Sequence, residues 1–246
     1  MPPKVLCDTG YLQMKDKAIT SSQMYKIEEN GHEILGMKRL LMMENAGHGT
    51  ADMLIQRFGD SLMSMKIVAV CGSGNNGGDA FVACRHLSAH GVENITALLL
   101  VPPKRIRTNE AKTNWKIISK MSSIKRIAIA NGEKAALGST FEKEIQAADV
   151  ILDGLIGTGV KGGIKEPYSS VFDKINKSKA FVLAIDVPSG LDPDTGTPSN
   201  KCVKASATVT FHRTKIGLKN AKKYTGYVHI EPIGIPAEAE EGILIK

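Results

Sequence analysis

Three short stretches combine glycine turns with polar side chains able to do chemistry. The first is Gly72-Ser73-Gly74-Asn75-Asn76-Gly77-Gly78-Asp79, the second runs from Asp153 to Gly163 (DGLIGTGVKGG), and the third from Asp186 to Gly196 (DVPSGLDPDTG). Glycines let a backbone close on a phosphate, and a helix beginning at such a turn aims free N–H groups at it. Asn75, Asn76 and Asp79 are more than a plain phosphate turn requires. In the second stretch Gly157, Gly159, Gly162 and Gly163 allow a loop to wrap a ligand, with Lys161 hanging from it. In the third, Pro188 stiffens a turn crowded by Asp186, Ser189 and Asp192. Each stretch taken alone reads equally well as tight turn chemistry.

The elements that must carry these residues alternate along the chain. Thr20 and Gln23 have the reciprocal spacing of a capping box, which predicts a first helix, and a second runs from Lys38 to Phe58 until Gly59 stops it. Apolar runs then predict strands at Lys66–Cys71, Ile95–Val101, Lys125–Ala130, Asp149–Asp153, Ala180–Asp186, Ala205–Phe211 and Tyr227–Glu231. Helical spacing fills the gaps at Asp79–His90, Thr108–Met121, Ser139–Ala147 and Pro167–Asn176. Near-continuous apolar strands alternating with helices predict an α/β fold, a Rossmann-like three-layer αβα sandwich. Its central sheet is mainly parallel, and two extra N-terminal helices precede the first strand. In such a sheet ligands bind beyond the carboxyl ends of strands where the winding reverses. With strand order 3-2-1-4-5, the loops at Gly72, Asp153 and Asp186 converge there on one crevice.

The rest of the chain bounds the function. Its 246 residues, with 42% hydrophobic and 23% charged, read as one domain over 1–246 with residues 1–15 loosely ordered. No apolar run approaches the ~20 residues of a membrane span, and MPPKVLCDTG lacks the apolar stretch of a signal peptide, so a cytoplasmic protein off the membrane is expected. Cys7, Cys71, Cys84 and Cys202 lack metal-like spacing and read as thiols in a reducing compartment. Net charge is +7, and Lys215, Lys219, Lys222 and Lys223 form a modest cluster that reads as solvated surface. No nucleic-acid-binding signature, such as stacked aromatics among basic residues, accompanies that cluster, so nucleic acid is not expected as a partner. Gly72, Gly74 and Gly77 fit GxGxxG, but the next strand ends Leu100-Val101-Pro102-Pro103 without the acid a dinucleotide ribose requires. Lys104, Arg105 and Arg107 lie where a 2′-phosphate would be met, or are surface charges. His86 and His90 stand four apart without an HExxH context and read as packing or surface residues. Met42, Met43, Met53, Met63 and Met65 read as core or interface filler, and Glu44 and Asn45 as pocket lining or packing.

GSGNNGGD, DGLIGTG and DVPSGLDPDTG, with Met43-Glu44-Asn45-Ala46-Gly47 and Thr208-Val209-Thr210-Phe211-His212-Arg213, together resemble the NAD(P)H-hydrate epimerase family, also called the YjeF N-terminal domain family. The resemblance runs from about Thr20 to the C-terminal region. It implies a Rossmann-like fold, a homodimer, and an isomerase interconverting the R and S epimers of hydrated NADH or NADPH, so that a separate stereospecific NAD(P)H-hydrate dehydratase can repair both. At this length the chain is expected to stand alone from that dehydratase. A scaffold or nucleotide-binding module without catalysis is the alternative on the same fold.

By the family pattern Asn75, Asn76, Gly77, Gly78 and Asp79 contact the hydrate, as do Gly157, Thr158, Gly159, Val160, Lys161, Gly162 and Gly163, with Asp186 facing it. The pattern also implies one potassium ion per subunit held by Asn76, Asp153 and Ser189. An amide oxygen, a carboxylate and a hydroxyl are hard ligands that suit such a cation. Asp186 is the candidate general acid–base, since C6 of the hydrate changes configuration either by losing water or by ring opening, and both routes move a proton at the oxygen. Lys161 is read as a phosphate partner, a catalytic assistant or a surface charge. Two departures stand out: Ala80 replaces the family's usual glycine after Asp79, and Thr214 and Ile216 stand where prolines are common.

Overall fold

The seven strands lie in one sheet, in the order β3-β2-β1-β4-β5-β6-β7, and every neighbouring pair is parallel. They span Lys66–Cys71 (β1), Asn94–Leu99 (β2), Ile124–Ala128 (β3), Val150–Gly154 (β4), Phe181–Ile185 (β5), Ala207–Phe211 (β6) and Tyr227–Glu231 (β7). This is a computed structural model, and it describes residues 17–128, 138–159 and 162–245. The expectation of loose order at 1–15, and Ile129 and Ala130 of the predicted third strand, lie outside the described residues.

Strands buried on both faces need apolar side chains at odd and even positions alike, and this explains the continuous runs. Along β1, Ile67, Ala69 and Cys71 join one core while Val68 and Val70 join the other. The first core lies under four helices, α1 (Ser21–Glu33), α2 (Arg39–Phe58), α3 (Asn75–Ala89) and α4 (Asn109–Ile118). The second lies under α5 (Ser139–Gln146) and α6 (Tyr168–Lys177), through Phe141, Ile145, Val171, Phe172 and Ile175. Helices on both faces of the sheet make the three layers expected. The two N-terminal helices belong to the first outer layer, with Ile27, Met42 and Met43 buried in its core.

The capping box at Thr20 forms in both directions, and Gly59, at φ 52, ends α2 where expected. Two differences bear on the site. The helix predicted from Asp79 begins four residues earlier, at Asn75, because Gly74 takes the extended conformation before the first turn. The glycines at 77 and 78 are therefore inside a helix. They are tolerated for what a side chain would strike: a Cβ on Gly77 would lie 2.1 Å from the Gly72 carbonyl oxygen, and one on Gly78 would lie 2.6 Å from Met43 Cε. The second difference is at the late turn. Ile216 keeps the N–H that a proline would lack, and donates it to Ile19 O at 3.0 Å, while Ile19 N donates to Thr214 O at 2.9 Å. That exchange ties the segment before α1 to the turn after β6.

Candidate functional site

Strand order reverses between β1 and β4, and the loops leaving β1, β4 and β5 meet at their carboxyl ends. They pack backbone against backbone. Gly72 N donates to Gly154 O at 2.9 Å, and a Cβ on Gly72 would sit 1.9 Å from Leu155 O. A Cβ on Gly154 would come within 2.7 Å of Ala80 Cβ, so the Ala80 departure is accommodated by the bare Gly154 beneath it. On the other side, a Cβ on Gly47 of α2 would lie 2.3 Å from Val82 Cβ and 2.7 Å from Asp79 O. Close approach of α2 thus fixes the first turn of α3. No side chain caps that turn, so its N–H groups face the crevice for an anion.

Asp153 closes β4 and is fully buried. Its carboxylate accepts from Ser189 Oγ at 2.6 Å, from Ser189 N at 2.8 Å and from Leu155 N at 3.4 Å. Burial raises its pKa to about 6, against the lowering effect of the Ser189 and Leu155 bonds. Every donor in that set is neutral. Ser189 Oγ also accepts from Ile156 N at 2.9 Å and lies 3.1 Å from Ile156 O. Asn76 is buried beside Gly157, whose Cβ would lie 3.4 Å from Asn76 Oδ1, and Asn76 Nδ2 has no partner. A buried carboxylate that meets only neutral donors, an amide oxygen, a hydroxyl and a carbonyl are a set of hard oxygen donors of the kind that suits a cation such as potassium. Among the described residues no three His, Cys, Asp or Glu side chains gather as a transition-metal site would require.

Asp186 follows β5 in the left-handed region, φ 64, with its N–H donated to Val209 O at 2.7 Å. A non-glycine residue held there is a strained position of the kind found at functional sites, and Asp tolerates it better than most. Its carboxylate is paired with Lys215 Nζ and accepts from Thr210 Oγ1 at 3.3 Å. Lys215 is 1% exposed and also donates to Thr210 Oγ1 at 3.0 Å and Phe211 O at 3.2 Å. The expectation of a solvated lysine cluster is therefore wrong for Lys215: the turn after β6 folds it inward, where the Asp186 carboxylate offsets the cost of burying an ammonium. Asp79 is buried nearby, and its carboxyl is held well above the usual range by burial first, then by the carboxylates of Asp186 and Glu28, against the pull of Lys215. Glu28, half-buried on α1, is raised to about 7 by burial and by Asp186, against Lys215 and Arg39.

Of the predicted site residues, Asn76, Asp79, Asp153, Asp186 and Ser189 lie together at this sheet edge. Asn75 is exposed on the first turn of α3, and the Asn75–Asp79 set is helical rather than a loop. Gly157, Thr158 and Gly159 leave β4 toward solvent, while Gly162, at φ 80, and Gly163 lead into Ile164, which Asn200 clasps through both its N–H (2.7 Å) and its carbonyl (3.2 Å). Val160 and Lys161 lie outside the described residues. Asp192 stands apart, its Oδ1 accepting from Asp194 N and Thr195 N within its own turn.

Glu44 pairs with Arg85 and His86, and Asn45 Nδ2 donates to Ile233 O at 2.9 Å, so both serve packing. His86 is engaged by Glu44 and stacks edge-on with His48. Met42 and Met43 are core filler as expected, yet they also line a cavity of about 70 Å³ with Glu28 and Asp79. Arg107 donates its N–H to Ser73 O, and its guanidinium lies 3.0 Å from where a Cβ on Gly74 would be. Cys71, Cys84 and Cys202 are buried free thiols; Cys7 lies outside the described residues.

Comparison with known proteins follows the same residues. Positions 39–217 match the family described as YjeF-related protein N-terminus. The chain is 46% identical to the NAD(P)H-hydrate epimerase of Cenarchaeum symbiosum over 92% of its own length and 99% of that protein. It is 43% identical to the NAD(P)H-hydrate epimerase of Nitrosopumilus maritimus, with the same coverage. It is 40% identical to the bifunctional NAD(P)H-hydrate repair enzyme Nnr of Pyrobaculum aerophilum, of which it covers 43%. A crystal structure of the yeast protein ynu0, YNL200c, superposes with TM-score 0.74 at 19% identity over 87% of each chain, a likeness of fold.

Proposed function

The chain belongs to the YjeF-related protein N-terminus family, and from that premise we infer that it is an NAD(P)H-hydrate epimerase, an isomerase of nicotinamide nucleotide repair. It interconverts the R and S epimers at C6 of hydrated NADH and NADPH (NADHX and NADPHX). One observation carries this reading. A helix start free of side-chain caps, an oxygen-donor cluster and a carboxylate meet at one sheet edge, in a chain matching NAD(P)H-hydrate epimerases over 99% of their length.

C6 of the hydrate carries a hydroxyl and is bonded to the ring nitrogen, so its configuration can be lost and regained without oxidation or reduction. What the protein must supply is a group that gives and takes a proton at the oxygen, and binding that holds the ring still. Asp186 is proposed as that group. Its support is its place at the end of β5, a backbone held at φ 64, and the buried Lys215 that orients its carboxylate. Asn75 to Asp79 are proposed to bind the hydrate along the first turn of α3, and Gly157 to Gly163 to wrap it from β4. The N–H groups of the helix start suit the diphosphate.

Asn76, Asp153 and Ser189 are proposed to hold one potassium ion per subunit. The support is the buried Asp153 carboxylate that meets only neutral donors, and the buried Asn76 side chain, whose Oδ1 lies beside Gly157. When bound, the ion supplies positive charge that offsets Asp153 and the substrate diphosphate. A homodimer in the cytoplasm, working with a separate NAD(P)H-hydrate dehydratase, completes the proposal. Exposed Tyr25, Ile34 and Leu41 on α1, α2 and the turn between them offer apolar surface for the dimer.

The test mixes purified R-NADHX with an S-specific dehydratase, with and without this protein. Accelerated consumption of the R hydrate is the expected result. An unchanged rate with folded protein would overturn the epimerase reading.

A further inference from the structure

Strands β5 and β6 both leave the sheet through a left-handed residue, Asp186 at φ 64 and His212 at φ 62. Each gives its N–H to the next strand, Asp186 to Val209 O of β6 at 2.7 Å and His212 to Glu231 O of β7 at 2.8 Å. A side chain other than glycine stays in that region only where its surroundings over-determine it. For Asp186 the surroundings are Lys215 and Thr210. For His212 they are the C-terminal segment.

Glu240 ends the single 3-10 turn Ala237–Glu240, and its side chain is 2% exposed. Its carboxylate is gripped at both oxygens. Arg213 Nε donates to Oε1 at 2.5 Å, Arg213 Nη2 donates to Oε2 at 2.6 Å, and His212 Nε2 lies 2.7 Å from Oε1. A two-point guanidinium–carboxylate pair fixes direction as well as distance. The segment is itself anchored, with Ala239 fully buried in the first core and its carbonyl accepting from Asn30 Nδ2 of α1 at 3.0 Å.

This buried cluster lies outside the three loops, yet only Thr214 separates Arg213 from Lys215. The turn is therefore held on both sides of Lys215. Before it, Glu240 grips His212 and Arg213; around it, Ile19 N donates to Thr214 O and Ile216 N donates to Ile19 O. From that fixed backbone the Lys215 ammonium reaches Asp186, Thr210 Oγ1 and Phe211 O. A lysine stem has many rotamers, so holding its end on one carboxylate oxygen requires a backbone that does not move.

We propose that Glu240 is a positioning residue of the epimerisation: by gripping Arg213 and His212 it fixes the turn that sets Lys215 against the Asp186 carboxylate. The inference rests on the epimerase reading, in which Asp186 handles the proton at the C6 oxygen. Glu240 itself touches neither substrate nor Asp186. Its effect is on the aim of a charge pair, where a displacement of about 1 Å costs about 100-fold in rate.

The experiment compares the wild-type chain with Glu240→Gln and Glu240→Asp, each shown by its melting curve to be folded at the assay temperature. It reads kcat and KM for R-to-S conversion of NADHX by chiral-phase chromatography. It also reads acylation of Lys215 by sulfosuccinimidyl acetate, by peptide mass spectrometry, against the exposed Lys222 as internal reference. In the wild type Lys215, 1% exposed and bonded at its ammonium, is expected to stay shielded. Glu240→Gln is expected to lose about tenfold in kcat with KM within about twofold. Its Lys215 should acylate about tenfold faster relative to Lys222, since the turn opens locally. Glu240→Asp, which keeps the charge and loses the two-point grip, is expected between the two in both readouts, and it carries the test if Glu240→Gln does not fold. A folded variant in which Lys215 stays shielded, or in which kcat stays at the wild-type value, would overturn the proposal, because a residue that only adds stability moves neither readout in folded protein. An inactive wild type would instead overturn the epimerase reading, and the acylation of Lys215 would still decide whether Glu240 holds it.

Discussion

Asp186 and Lys215 show how a residue's neighbours decide its role. An aspartate at a strand end is read from sequence as a turn residue or a catalyst with equal ease, and the left-handed backbone and buried ammonium favour the second. Asp153 and Ser189 were legible because the motifs DGLIGTG and DVPSG place a carboxylate and a hydroxyl at two adjacent strand ends. Lys215 was not legible: its neighbours Lys219, Lys222 and Lys223 make it look like one of a surface cluster, and only the turn after β6 folds it inward. Glu28 escaped notice for a similar reason, being one acid on a polar helix whose partners are distant in sequence. Replacing Lys215 by methionine should cost about 3 kcal/mol in stability, near the lower end for breaking a buried ion pair because the Asp186 side chain keeps some exposure to solvent. The same variant should slow epimerisation by about 100-fold or more. Denaturant unfolding and the chiral assay check both, and wild-type behaviour in either would contradict the role given to Lys215.

Elements were read more faithfully than single side chains. β1 and β7 match their predicted spans, and the other strands differ by a few residues at their ends, because apolar runs mark what is buried on both faces. The start of α3 was misplaced since Gly77 and Gly78 look like turn residues. Their reason is close approach: Gly77 lets the first helical turn lie on the Gly72 carbonyl. Gly77→Ala, whose Cβ would sit 2.1 Å from that oxygen, should cost ~2 kcal/mol or more and weaken hydrate binding. Gly159→Ala should cost little, because nothing lies within 4 Å of its added carbon. Melting curves of the pair, taken together, separate a backbone contact from a general intolerance of alanine in the glycine motifs.

At the scale of the molecule, an all-parallel sheet brings the ends of β1, β4 and β5 side by side, and residues more than a hundred positions apart in sequence become one site. Strand order and convergence were legible from the alternation of elements. The participation of α1 and of the turn after β6 was not, because it depends on how outer pieces fold back on the sheet. That exchange is visible in the bonds between Ile19 and the Thr214–Ile216 turn. If the oxygen cluster holds potassium, potassium chloride should raise the melting temperature of the wild type above its value in equal sodium chloride, and Asp153→Asn should abolish the difference. Equal melting in both salts for the wild type would contradict the ion site without touching the fold. The most direct measurement of the central claim starts from pure S-NADHX and, separately, pure R-NADHX, each incubated with this protein alone. Both should approach one common R-to-S ratio much faster than in buffer, and Asp186→Asn should remove the acceleration by about 100-fold or more. Two samples that keep their starting configuration as they do in buffer, with folded wild-type protein present, would contradict it.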